Sequence, residues 1–226
     1  MEAKNRRYQA LVTVRKTMVV AAAKTVIARV GLEKASIREI AKEAGYTPGA
    51  LYAYFANKND LLATMLEEVL VSLAFSVANA QPSKNQTNLL SAKGDAWLAH
   101  LLDRPNDLEL LIYFLSGAGQ SKLDAEVAHR IHVALRQTLD PLAQVLLSMG
   151  LATERLDKEM EALLAFVLGL LLPLNATRLP PVGQKPQSIL SDYLKRVLRD
   201  LYAVGVNGEA QTKSVKDTMQ VDLFEG

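Results

Sequence analysis

The sequence predicts an all-α protein of about nine helices, a three-helix N-terminal unit followed by a larger helical body. Three observations carry this. Apolar residues recur at helical spacing along most of the chain, no segment shows the sustained alternation of a half-buried strand, and capping signals punctuate the periodic runs. The 226 residues are half apolar and 22% charged, ordinary globular composition and enough for a sizeable core.

In chain order, Val19, Ala22, Ala23, Val26, Ile27 and Val30 form one face of a first helix, which Gly31 ends by taking a left-handed conformation. Ser36-Ile-Arg-Glu39 is a capping box that opens a short second helix with Ile37, Ile40, Ala41 and Ala44 inward. Gly45 interrupts it. Thr47 is an N-cap and Pro48 occupies the first position of a third helix reaching to about Phe55, anchored by Leu51 and Phe55. Asn57 to Asp60 is a further capping signal ahead of a long fourth helix with Leu61, Leu62, Met65, Leu66, Val69 and Leu73 on one side. A polar linker, Gln81 to Thr87, leads to helices at about 88–103, 106–117, 122–149, 155–177 and 187–204. Asn106 to Glu109 and Ser121 to Asp124 read as capping boxes and Thr153 as a cap; Pro141 should kink the helix at 122–149 unless a break lies there. These segments divide the chain into residues 1–60, residues 61–206 and a loose polar tail at 207–226.

The net charge of +2 is unevenly placed: residues 1–60 hold 11 Lys and Arg against 5 Asp and Glu, the remainder 15 against 19. A basic head on a mildly acidic body suits a phosphate-binding module, and equally a solvated arm, because Lys4, Arg6 and Arg7 supply part of the excess. The absence of cysteine removes disulfides, thiolate nucleophiles and Cys-based zinc sites and fits a cytoplasmic protein. No secretory signal is expected, since the apolar run after Lys16 stops at Lys24. Ala162 to Leu174, the longest apolar run, is shorter than the roughly 20 residues that span a bilayer, so no membrane partner is expected.

Two short helices joined by a glycine turn, the second opening on Thr-Pro, have the form of a helix-turn-helix. The second is too short to stand alone, so the first and fourth helices must hold it, leaving Thr47, Gly49, Ala50, Tyr52, Ala53 and Tyr54 for a major groove. From Val19 to Leu62 the chain resembles the N-terminal domain of the tetracycline-repressor-like (TetR) family. The resemblance rests on Ala22-Ala23 and Gly31, Ser36-Ile-Arg-Glu-Ile-Ala41, Ala44-Gly45, Gly49-Ala-Leu-Tyr-Ala-Tyr-Phe55, Asn57-Lys58 and Leu61-Leu62. It implies a ligand-responsive repressor that binds palindromic double-stranded operator DNA as a homodimer and is released by a small apolar or aromatic effector, without catalysis.

It also implies roles. Tyr52 and Tyr54 match positions that rest on phosphate and sugar, and Lys58 matches a phosphate-contacting lysine. Ser36, Arg38 and Thr47 lie where phosphate or base edges are met, with Pro48, Gly49 and Ala50 opening the recognition helix. Read from the residues alone, Tyr52 as a ring packed on the first helix and Lys58 as a solvated lysine are the alternatives. Position 50, often Ser or Thr in the family, is Ala here, so base readout leans on Thr47, Arg38 and the Ala50 methyl.

In the body, the nearly all-apolar helix around Met160–Leu172 and the stripe on the last helix must bury several faces. The resemblance implies a four-helix dimer interface through Leu163, Val167, Leu171, Leu190, Tyr193, Leu194, Val197 and Leu201; an intramolecular core is the other reading. It places an effector cavity among helices five to eight, with Trp97, His100, Tyr113, Phe114, His132, Phe166 and Asn175 as candidate lining, each of which could instead be core packing. No cofactor or metal is expected: His129 and His132 with Glu126 are the only ligand-like spacing, and Gly117-Ala-Gly119 lacks the third glycine of a dinucleotide loop, Lys122 standing in its place. A helical enzyme and an effector-independent DNA-binding protein remain open alternatives from sequence.

Overall fold

The computed structural model describes residues 2–82, 89–116, 124–171 and 185–201, with side chains from residue 5 onward. The described residues form ten helices: α1 (Glu2–Val30), α2 (Ile37–Ala44), α3 (Pro48–Leu51), α4 (Lys58–Asn79), α5 (Leu89–Leu102), α6 (Pro105–Leu115), α7 (Ala125–Gln137), α8 (Asp140–Ser148), α9 (Thr153–Leu171) and α10 (186–201). The fold is all-α. Asn175, Tyr202, the Gly117–Gly119 turn, most of the 81–87 linker and the 207–226 tail lie outside the described residues.

The start and stop signals in the first sixty residues act as written, except that α3 ends at Leu51 rather than near Phe55. Gly31 and Gly45 both adopt positive φ, 84° and 74°, a region that costs other residues about 1–2 kcal/mol. At Ser36 the hydroxyl accepts from the Glu39 N–H at 3.3 Å while the Glu39 carboxylate accepts from the Ser36 N–H at 3.2 Å. Thr47 Oγ1 accepts from the Ala50 N–H, and Pro48 follows at the first helical position. At α4 the exchange runs both ways: Asn57 Oδ1 accepts from the Asp60 N–H, and the Asp60 carboxylate accepts from the Ala56 N–H, both at 2.9 Å.

Further along, two expectations give way. α6 starts at Pro105 with Arg104 as an uncapped N-cap, so Asn106 and Glu109 sit inside the helix. Proline takes the first helical position because its missing N–H costs nothing there, and this pulls the start forward. The single helix expected at 122–149 is two. Thr138 and Leu139 separate α7 from α8, and Pro141 sits in the first turn of α8, where it removes no helical hydrogen bond. α7 is capped by Asp124, whose carboxylate accepts from the Glu126 N–H at 2.8 Å.

α4 is the axis. It packs against α1, α5, α6, α7 and α8, and a cut at residue 60 passes through its first turn. By length and composition α4 could cross a membrane, but Leu61, Leu62, Leu66, Leu70, Leu73 and Val77 lie at 0–1% exposure in the core. The carbonyls at its C-terminal end meet a buried cation, Lys93, whose ammonium donates to Val77 O at 3.1 Å and Ala78 O at 2.9 Å. Trp97 is enclosed at 1% exposure and its indole N–H donates to Thr138 Oγ1 at 2.8 Å. Where α10 crosses α5, Gly94 makes room: a Cβ there would stand 2.6 Å from Leu194 Cδ1.

That crossing decides how the last helices are used. Leu163, Val167, Leu171, Leu190, Leu194 and Leu201 are all at or below 8% exposure within the single chain. They are core here, not contact surface, because α9 and α10 turn that stripe onto α5 and α8. Tyr193 and Val197 stay half-exposed. Tyr193 stacks on Phe166, ring centroids 4.1 Å apart and planes at 17°. The outward side of α9 presents Ala162, Ala165 and Gly169, flanked by half-exposed Leu164, Phe166, Leu168 and Leu170.

Candidate nucleic-acid interface and effector site

The N-terminal unit is held from behind. Ile40, Ala41, Leu51 and Phe55 are buried against Val19, Ala23, Val26 and Leu62, which leaves the other side of α2–α3 to solvent. Arg38, Thr47, Pro48, Gly49, Tyr52 and Ala53 are exposed there, Ala50 and Ser36 half-exposed. The Ser36 hydroxyl is engaged with Glu39 and that of Thr47 with the Ala50 N–H, so both cap first and face outward second.

The two tyrosines separate. Tyr52 is 57% exposed, clear of the first helix. Tyr54 is half-buried, and its hydroxyl accepts from Arg15 Nη1 at 3.0 Å. That hydrogen bond holds the Arg15 guanidinium above its already high pKa, so a fixed positive charge stands beside the recognition segment. Lys16 adds a second, its ammonium 5.5 Å from the Phe55 ring centroid. The sequence reading missed Arg15 and Lys16. Both lie before the apolar periodicity of α1 begins, and only a contact 39 residues away gives Arg15 its place.

Lys58 is neither a solvated lysine nor turned outward. Its ammonium donates to Leu32 O at 2.8 Å and reaches Glu33 O at 3.4 Å, which ties the start of α4 to the turn after α1. Burial pushes its pKa down, with Glu33 and Glu39 opposing. The α4 N-terminus already carries its own carboxylate, Asp60, in the first turn. The next residue, Asn59, is buried and accepts from the Tyr113 hydroxyl at 2.9 Å, so α6 is fastened to the same turn.

The expected effector-site residues do not converge. Trp97 is a satisfied core residue, Phe114 is buried in an edge-on contact with Tyr113 (5.4 Å, 88°), and Phe166 lies in the α9–α10 seam. His132 is exposed, because Val127, Ile131, Ala134 and Leu135 set the inward face of α7 and leave His129 and His132 on the outside. No group of three or more potential metal ligands occurs among the described residues.

His100 is different. It is 4% exposed, and its Nδ1 lies 2.7 Å from Ser76 Oγ. The Ser76 hydroxyl is also placed to donate to Ser72 O at 3.1 Å, the arrangement in which Nδ1 carries the proton and donates. Nε2 is buried without a partner, and in that tautomer it is a bare acceptor. Burial lowers the His100 pKa and Arg104 adds to the effect, while Asp107 and Asp103 oppose it.

The sequence model of the bacterial regulatory proteins of the tetR family matches residues 19–65, the stretch from the first core residue of α1 into α4. The HTH-type transcriptional regulator BetI of Vibrio atlanticus is 45% identical over 64 residues, 28% of this chain and 32% of that protein, so the match spans about a third of the relative's length. BetI of Vibrio vulnificus is 26% identical over 191 residues, 82% of this chain and 93% of the relative. Over residues 19–65 the chain carries the N-terminal domain of the TetR family. The fold matches that of the TetR-family repressor FadR of Thermus thermophilus, solved in complex with lauroyl-CoA, with a TM-score of 0.61 at 19% identity over 81% of this chain and 92% of that one.

Proposed function

We propose that this chain is a repressor that binds a palindromic operator as a homodimer in the cytoplasm and leaves it when a small molecule enters the helical body. The observation that carries the reading is the outward face of α2–α3. It is braced by the caps at Ser36, Thr47 and Asn57 and a buried apolar back, yet exposes Arg38, Thr47, Gly49 and Tyr52 beside the fixed charge of Arg15. An element of four residues survives only when its neighbours hold it, and a surface held that firmly with so little to hydrogen-bond suits backbone placement and groove shape. The DNA contacts are assigned to Arg38, Thr47, Pro48, Gly49, Ala50 and Tyr52, with Tyr54 acting through Arg15. Ser36 and Lys58 set the positions of α2 and α4.

The twofold contact is assigned to the outer side of α9. Ala162, Ala165 and Gly169 let a second helix approach closely, and Phe166, Leu170, Tyr193 and Val197 rim it. A twofold axis there sets two recognition helices on successive major grooves, about 34–36 Å apart. The effector is received by His100 Nε2, a buried acceptor that gains a partner only from a molecule with a hydroxyl or N–H to give. The route outward is short. Tyr113 on α6 holds Asn59, and Lys58 beside it holds the turn after α1, so a shift of α6 is felt at the DNA-binding unit.

The experiment is anisotropy on a labelled duplex from the protein's own upstream region, with compounds screened for release. The expected releasing compound is small and largely apolar with one donor group, and it loses its effect on His100→Phe while that variant still binds DNA. A variant that responds unchanged overturns the His100 assignment; release by no compound overturns the effector reading.

A further inference from the structure

α1 is longer than its packing requires. Its buried face begins at Val19, and residues 5–18 are exposed except for half-buried Val12. With the helix starting at Glu2, this leading part reaches about 25 Å at about 1.5 Å per residue. Arg6, Arg7, Arg15 and Lys16 are exposed along it, and Glu2 is the only acidic residue before Glu33. Tyr8, Leu11, Val14 and Met18, each 50–63% exposed, recur at helical spacing as a stripe that meets no core, with Arg7 and Arg15 falling on the same side.

A basic helix with an apolar stripe suits a phosphate backbone or an anionic lipid surface. Its root decides between them. The leading part emerges beside the recognition segment, where Arg15 is bonded to Tyr54 and Lys16 sits over Phe55. An arm rooted there reaches the same ligand that α3 approaches, while the body behind carries the acidic excess.

We propose that residues 2–18 are a second DNA-contacting element, a helical arm that lies along the backbone beside the groove entered by α3. Arg6, Arg7, Arg15 and Lys16 meet phosphates, and the apolar stripe faces deoxyribose. This rests on the DNA-binding reading of α2–α3 and adds to it a wider, sequence-independent footprint.

The test is the salt dependence of full-length protein binding to a labelled duplex of arbitrary sequence. The wild type is compared with the Arg6→Gln, Arg7→Gln double variant, in which glutamine keeps the helical propensity, and with Arg199→Gln on α10 as a distant charge control. The arm predicts that the slope of log K against log salt becomes shallower by about 0.9 for each of the two cations removed, while Arg199→Gln leaves it unchanged. An unchanged slope in the double variant overturns the arm, as does equal flattening by Arg199→Gln. If the double variant instead loses binding to phosphatidylserine vesicles at an unchanged duplex slope, the stripe is a lipid surface. A wild type with no salt-dependent duplex affinity overturns the reading of α2–α3 itself.

Discussion

Gly45 makes the turn of the helix-turn-helix possible. At φ 74° it ends α2, and its N–H reaches back to Ala41 O and Lys42 O. A Cβ there meets nothing within 4 Å, so the cost of substitution is purely conformational. Gly45→Ala is expected to destabilise the fold by about 1–2 kcal/mol and Gly45→Asn by less, since asparagine tolerates the left-handed region. Urea unfolding of the two variants measures this, and equal losses contradict it. At His100 the pKa lies below its ordinary value because the imidazole is buried. As pH falls through about 6.5 the unfolded chain takes up the proton first, so stability drops on acidification. Wild type is therefore expected to lose more stability than His100→Asn between pH 7.5 and 5.5; parallel profiles contradict it. Both residues stand in the sequence, but only Gly45 announces its role there. A glycine between two helical periods has one common use, whereas the orphan Nε2 depends on where Ser76 sends its hydrogen.

The elements were legible where a local rule sets them. The caps at Ser36, Thr47 and Asn57 need only residues three apart, and each forms as its spacing predicts. At α6 and at the α7–α8 break a proline outranks the neighbouring signal. What lies between elements was not legible. Lys93 closes the end of α4 from α5, and Lys58 closes the turn after α1, through backbone carbonyls that sequence patterns do not display. The Lys58 contact carries a prediction for α4. Lys58→Met keeps the apolar stem but drops two acceptors at the α1–α2 turn. It is expected to cost about 1 kcal/mol of stability, reduced from the usual charged hydrogen bond because the site is half-exposed. It should also leave the salt slope of duplex binding nearly unchanged. A slope shallower by a full unit, with stability intact, returns Lys58 to the phosphates.

For the whole molecule, the apolar richness of α9 and α10 was read as one interface, and it is a core face and an outer face. Periodicity shows that a helix must bury two sides without saying which belongs to its own chain. Gly94 settles it for α10 by admitting Leu194 and Leu190 onto α5, and Leu163 on α9 is likewise buried within the chain. The twofold assembly proposed above uses Gly169, around which a Cβ meets only open space. Gly169→Glu should therefore leave helicity and monomer stability near wild type while converting the dimer to monomer in sedimentation. Val167→Ala should instead unfold more easily and stay dimeric. The reverse pattern contradicts the assignment.

The central claim is that two copies of the α2–α3 face read one operator. Footprinting the protein on its own upstream DNA at moderate salt tests it most directly. The account predicts a protected site with twofold symmetry, its half-sites centred about one helical turn or a multiple of it apart, and loss of that protection in Gly169→Glu. Protection of an asymmetric site by an intact monomer, or no protected site at all, contradicts it.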